Sequence, residues 1–222
     1  MNISVLGDSH SRVFSNANVF TSFFLGPGMT FNLIEKTDNI KKGLRHILPL
    51  IKNEFNYHML IFGEPSSRYQ IKKDFYIHKT NFKDINRLDE KILKESTEKY
   101  KEVINICNEL IGEKLIICAP IVVYNPALLF SEKFNEIIKD YCVDKQINFI
   151  DISDKIVKDY SVEKKYKSDP IHANSEIIPF IIEKLKEKNI NINSDIEKKY
   201  GFKELKSKFI YNKKFKTYLL KQ

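Results

Sequence analysis

Three residues of this chain, Ser9, Asp169 and His172, have types and spacing that point to chemistry. Ser9 lies in Gly7-Asp8-Ser9, directly after a short apolar run, and Asp169 precedes His172 by three residues in Ser168-Asp169-Pro170-Ile171-His172. A serine hydroxyl is a weak nucleophile until a base takes its proton, and an imidazole base needs a partner on its other nitrogen to fix tautomer and orientation. Asp169 and His172 can supply base and partner locally. Each motif alone also has a plain structural reading, a helix cap for Gly7-Asp8-Ser9 and a surface turn for the Asp-to-His spacing. Together they provide nucleophile, base and orienting carboxylate.

The elements around these residues decide whether they can meet. Residues 2–6 form a β-prone run ended by Gly7, with polar helix-starting residues after it, so Ser9 falls on a strand-to-helix turn with its amide facing outward from a helix start. Further strands are expected at 19–25, 57–62, 114–119 and 147–152. Helical spacing joins Ile40, Leu44, Ile47, Leu48 and Ile51, then Ile92 through Ile111, and a further helix covers about 131–145. Asn174-Ser175 can cap a last helix carrying Ile177, Ile178, Ile181, Ile182 and Leu185, with Pro179 fitting awkwardly in its first turns. Strands alternating with helices predict an α/β fold with a five-stranded parallel sheet covered on both faces. Ligands of such sheets sit beyond the carboxyl ends of the strands, where strand order reverses. The segments Gly7 to Arg12, Gly26 to Thr30, Gly63 to Arg68 and the loop before the last helix are therefore the places to look for a site.

At 222 residues the chain suits one domain with one core, and 42% hydrophobic with 12% aromatic residues is enough to build it. Cys107, Cys118 and Cys142 are scattered and odd in number, which argues against a disulfide framework or a zinc module. No Gly-rich phosphate loop, HExxH or EF-hand pattern is present, and the serine chemistry calls for no metal and no cofactor. No run approaches the roughly 18 apolar residues of a membrane span, and Met1 to Leu6 lacks a signal-peptide pattern, so the cytoplasm is the expected location. Most of the net charge of +8 is in the tail: residues 181–222 carry twelve lysines against five acidic residues, a net of +7.

Gly7-Asp8-Ser9 near the start and Asp169-Pro170-Ile171-His172 before the last helix resemble the SGNH/GDSL-like hydrolase superfamily, over about residues 1–188. The resemblance implies a three-layer α/β/α sandwich with a flavodoxin-like sheet, with Ser9 as nucleophile and Asp169 and His172 completing a triad. The rival Gly-x-Ser-x-Gly hydrolase pattern is not met, because Ser11 stands where its second glycine belongs. By the family pattern, the oxyanion hole would use the amides of Ser9 and Gly26, with Gly28 as second choice, and an asparagine from a third block. Here that block reads Gly63-Glu64-Pro65-Ser66-Ser67-Arg68, and Pro65 offers no side-chain donor. It is similar instead to a Gly-Glu-x-Asp-x-Arg subgroup, some members of which belong to bacterial surface-glycan gene clusters.

Glu64 and Arg68 then form either a local ion pair or a substrate-binding pair, Arg68 being permanently charged with five donors. His10 and Arg12 flank the nucleophile; His10 is a candidate substrate contact, although a solvated first helical turn is the simpler expectation. His46, His58 and His78 match no triad or metal spacing and are expected to be structural or exposed. The implied activity is a serine esterase acting on an O-acyl group, with a glycan ester as the expected substrate. The alternatives are an O-acyltransferase for a surface-glycan precursor and a catalytically silent glycan-binding or scaffold protein of the same fold. Residues 189–222 are expected to form a basic, aromatic-containing extension, helical and packed on the body. Docking of this tail on an anionic membrane or a protein is the alternative, and nucleic acid a lesser one.

Overall fold

The computed structural model describes residues 1–25, 33–62, 89–123, 127–159, 161–192, 208–214 and 217–220. Five parallel strands, β1 (Ile3–Gly7), β2 (Phe20–Phe24), β3 (Tyr57–Ile61), β4 (Leu115–Cys118) and β5 (Asn148–Ile150), lie in the order 2-1-3-4-5. Register runs evenly across them, with Gly7 opposite Phe24 on one side and Ile61 on the other. Among the described residues the four main helices are α1 (Leu33–Ile51), α2 (Glu90–Ile111), α3 (Leu128–Asp144) and α4 (Ile178–Glu187). The strand order reverses between β1 and β3, placing a switch point at the end of the strand that leads to Ser9.

Two apolar layers cover the sheet because successive strand residues face opposite sides. Ile3, Val5, Met59, Ile61 and Ile116 point to one face, where Val13 and Phe14 meet Ile178, Ile181 and Leu185 of α4. Leu6, Leu60, Leu115 and Ile117 point to the other, covered by Ile40, Leu44 and Ile47 of α1, Tyr100 and Ile104 of α2, and Phe134 of α3. Each fully buried aliphatic or aromatic side chain here stabilises the fold by roughly 1.5–3 kcal/mol, which explains why apolar periodicity decides the layering. Cys107, Cys118 and Cys142 are all buried and unbridged. Burial pushes the Cys107 and Cys142 thiols up to about 12, and that of Cys118 well above its ordinary value.

Local signals place the helix ends. The Asp89 side chain accepts from the Ile92 amide at 3.1 Å to open α2, and Gly112 closes it at φ +58°, a left-handed conformation that favours glycine. Asn174 caps the turn before α4 by accepting from the Glu176 amide at 3.0 Å. Pro179 sits in the first turn of α4, where its missing N–H has no helical acceptor to lose. α3 begins at Leu128, three residues earlier than its apolar spacing suggested. The segment after Ser9 is a 3-10 helix, Ser9–Asn16.

The tail departs from expectation. Residues 209–220 form a hairpin, not a helix, of β8 (Phe209–Asn212) and β9 (Thr217–Leu220); the smaller β6 (Val157–Lys158) and β7 (Ser161–Val162) pair separately. β9 runs antiparallel to β2, pairing Tyr218 with Phe24, and extends the five-stranded parallel sheet to seven strands. The Thr217 hydroxyl donates to the Phe24 carbonyl. At the turn, the Lys214 amide donates to the Asn212 side chain at 2.9 Å, and Lys214 reaches Glu54 at 3.9 Å. Ile190 and Ile192 also pack into the core beneath α4. Among the described residues, no helix is long and apolar enough to cross a membrane.

Candidate active site

Ser9 owes its position to close backbone approach. A Cβ on Gly7 would lie 1.8 Å from the Ile61 carbonyl oxygen, so only glycine lets β1 end flush against β3. The chain then turns through Asp8, whose side chain accepts from the His10 amide at 3.0 Å and caps the 3-10 helix. Ser11 donates its hydroxyl proton to the Asp8 carbonyl at 2.8 Å, and Ser22 on β2 donates to the Ser11 carbonyl at 2.8 Å. These buried bonds tie the nucleophile turn to the neighbouring strand. As the first helical residue, Ser9 has an amide with no acceptor within the helix.

The partner loop is built as tightly. Asp169 accepts the amides of Ile171 at 2.8 Å and His172 at 2.9 Å on one oxygen, while the Ser168 amide donates to the His172 carbonyl at 2.8 Å. A β-bridge between Lys167 and Ala173 closes the loop. Ala173, Ile177 and Ile178 then share a core layer with Val13 and Phe14, which brings the loop beside the nucleophile turn.

The three groups meet across 163 residues of sequence separation. The Ser9 hydroxyl lies 3.0 Å from His172 Nε2, and His172 Nδ1 lies 2.8 Å and 3.0 Å from the two Asp169 oxygens. Because a carboxylate only accepts, Nδ1 carries the proton, and Nε2 is left to accept from Ser9. Burial pushes His172 down, and His10, whose ring centroid is 4.9 Å away, pushes the same way; Asp169 opposes both, and the result is about 4. Burial pushes Asp169 up, but the Ile171 amide and the His172 ring and amide outweigh it and hold the carboxyl below its usual value. At neutral pH the imidazole is therefore uncharged and free to take a proton from Ser9.

His10 and Arg12 are not solvated as the first-turn reading expected. Both are buried, and the Arg12 guanidinium stands 3.9 Å above the Phe24 ring and 5.4 Å from that of Phe209 in the C-terminal hairpin. Burial lowers the Arg12 pKa and Asp8 partly restores it. No local pattern could have revealed this, since Phe209 is far away in sequence. His58 is structural, pairing with the Ser4 hydroxyl across the sheet at 2.7 Å, and His46 is half-buried near the Lys214 carbonyl at 3.4 Å. Gly26, Gly28, Glu64, Pro65, Arg68 and His78 lie outside the described residues. No cluster of three potential metal ligands occurs among the described residues.

The parallel sheet in the order 2-1-3-4-5 thus has Ser9 just after β1 and His172 just ahead of α4. Sequence comparison finds no matching family model and no matching curated protein. Comparison of structures finds similar folds. A proposed acylhydrolase from Bacteroides fragilis NCTC 9343 superposes with a TM-score of 0.53 at 11% identity, over 85% of this chain and 86% of that one. A member of the lipolytic protein G-D-S-L family from Veillonella parvula DSM 2008 does so at 0.51 and 14% identity, over 84% of this chain and 97% of that one. At these identities the likeness is one of fold.

Proposed function

We propose that this protein is a serine esterase of the SGNH type that removes O-acyl groups from a carbohydrate. The observation that carries the reading is the unbroken chain from Ser9 through His172 to Asp169. In the first step Ser9 Oγ bonds to the acyl carbon as its proton passes to His172 Nε2. Collapse of the tetrahedral intermediate breaks the ester C–O bond, and His172 returns the proton to the leaving alcohol. Asp169 holds the imidazole and stabilises its charged form. Water then repeats the sequence on the acyl-enzyme, releasing the acid. The Ser9 amide donates to the oxyanion in this reading, with Gly26 beside it. The carbohydrate half of the reading rests on the Gly63-to-Arg68 sequence.

The test is labelling with a serine-directed fluorophosphonate, followed by turnover of an aryl acetate with a sugar acceptor present, tracking acetyl by mass spectrometry. Ser9-dependent labelling and free acetate are expected. Absence of labelling in folded protein would replace the esterase with a binding protein, and Ser9-dependent acetylated sugar would replace hydrolysis with transfer.

A further inference from the structure

From Leu205 to the last residue the chain carries six lysines, Lys206, Lys208, Lys213, Lys214, Lys216 and Lys221, and no acidic residue. Folding brings part of this run against a helix. We propose that the β8–β9 hairpin and the adjoining side of α1 form a docking face for an anionic lipid bilayer, with Leu50, Ile210 and Tyr211 entering its interfacial layer.

The hairpin turn rests on α1. The Lys214 carbonyl lies 3.4 Å from His46 Nε2, and the Lys214 ammonium group lies 3.9 Å from Glu54, just past the end of that helix. Lys42, His46 and Leu50 follow one another at four-residue spacing on α1, so they share the side that meets the turn. Basic and apolar groups converge there. Lys42, Arg45, Lys213 and Lys214 are exposed, and Leu50, Ile210 and Tyr211 are 39%, 51% and 53% exposed. Three of the five large apolar side chains that are exposed among the described residues thus fall at this corner, which makes it the place where apolar surface meets positive charge.

Opposing charge is weak. Glu54 and Lys214 form a long, exposed pair of little strength, while Asp38 and Glu102 are already held by Lys41, with Lys99 also on Glu102. Residues 193–207, ahead of the hairpin, carry four lysines against three acids, so by composition they keep the sign.

Chemistry selects the partner. Each basic residue near an anionic bilayer raises affinity roughly fivefold. Aliphatic and tyrosine side chains partition into the headgroup region, and binding strength grows with both contributions. A nucleic acid strand would use the lysines but would leave Leu50 and Ile210 without a base to stack on. A second copy paired antiparallel about the centre of β8 would bring Lys208 of each copy against Lys213 of the other, a repulsive contact. The face contains none of Ser9, Asp169 and His172, so the inference stands apart from the esterase reading.

The experiment is sedimentation of the full chain with vesicles of phosphatidylglycerol and phosphatidylcholine, and with vesicles of phosphatidylcholine alone. Binding to the anionic vesicles is expected at about 50 mM salt, with release at about 500 mM, where the Debye length is roughly 4 Å. Lys213→Glu together with Lys214→Glu should weaken binding about 25-fold or more, at roughly fivefold for each charge removed. Lys42→Glu together with Arg45→Glu, on a different element, should do the same. Both pairs should keep the melting temperature and Ser9 labelling, because these side chains are exposed. The chain has no tryptophan, so Tyr211→Trp provides a sole reporter, whose emission should shift to shorter wavelength on anionic vesicles and be quenched by acyl-chain-brominated lipid. The proposal is overturned if anionic vesicles do not bind the chain, if neutral vesicles bind it equally, or if both charge-reversed pairs bind as wild type does. It is overturned equally if the reporter keeps its solvent emission on bound vesicles, or if a single-stranded oligonucleotide binds more tightly than the anionic vesicles. Vesicle binding by a wild-type chain that shows no Ser9 labelling would sink the esterase reading and keep this one.

Discussion

His172 meets Ser9 as an uncharged base, and its burial makes that state persist into acid. The acid limb of kcat/KM should therefore fall near pH 4, well below the ordinary histidine value of about 6.5. The linked stability has a definite sign. The unfolded chain binds this proton more readily than the native one, so the contribution is complete above about pH 6.5 and is lost as pH falls towards about 4. At pH 5 turnover should persist while the melting temperature has begun to drop; an acid limb at the ordinary histidine value would refute the buried-base picture. His10→Gln removes a neighbour that depresses His172, so the limb should move upward, with little change at pH 8. Asp169→Asn should leave the fold intact and slow turnover by roughly 10⁴-fold through the wrong tautomer, read as kcat in matched wild-type and variant assays. Type and spacing singled out Ser9, Asp169 and His172, and the structure places them within hydrogen-bond distance of one another. The low His172 value was not, because it depends on burial and on a second ring, both products of tertiary packing.

Secondary elements repeat the division between local and distant causes. β1 to β5 and the helices between them announce themselves as apolar runs and 3.6-residue periods, since each is buried by its own pattern. The β8–β9 hairpin did not. Its strands are short and its basic, aromatic composition suggested a helix packed on the body, while the partner that makes it a sheet is β2, nearly 200 residues earlier. The consecutive β-prone residues Phe209, Ile210 and Tyr211 were the available strand signal. Gly7 shows the opposite case, a single residue whose need is wholly structural. Gly7→Ala would force a methyl group into the Ile61 carbonyl and part β1 from β3. A loss of about 3 kcal/mol or more in chemical denaturation is expected, with loss of Ser9 labelling. A variant with wild-type stability would contradict the flush contact.

The molecule as a whole is coupled from end to end by that hairpin. Phe209 lies over Arg12, Arg12 over Phe24, and Arg12 belongs to the same 3-10 helix as the nucleophile. Deleting residues 208–222 strips the edge of β2 and uncovers Arg12. A lower melting temperature and reduced Ser9 labelling are expected together, whereas Phe209→Ala should produce a milder form of both, since it keeps the β2–β9 pairing. Truncation that leaves both readouts unchanged would show the hairpin to be an ornament of the sheet.

The three buried thiols carry a practical corollary. Alkylating reagents react with the thiolate, and Cys107, Cys118 and Cys142 are both shielded from solvent and held in the neutral form. In the native state they should be chemically silent. They reside on α2, β4 and α3, so each thiol becomes a clock for the opening of its own element. Pulse alkylation read by mass spectrometry at each cysteine would then distinguish a sheet that unlocks all at once, with three equal rates, from one whose covering helices lift away before the strand beneath them.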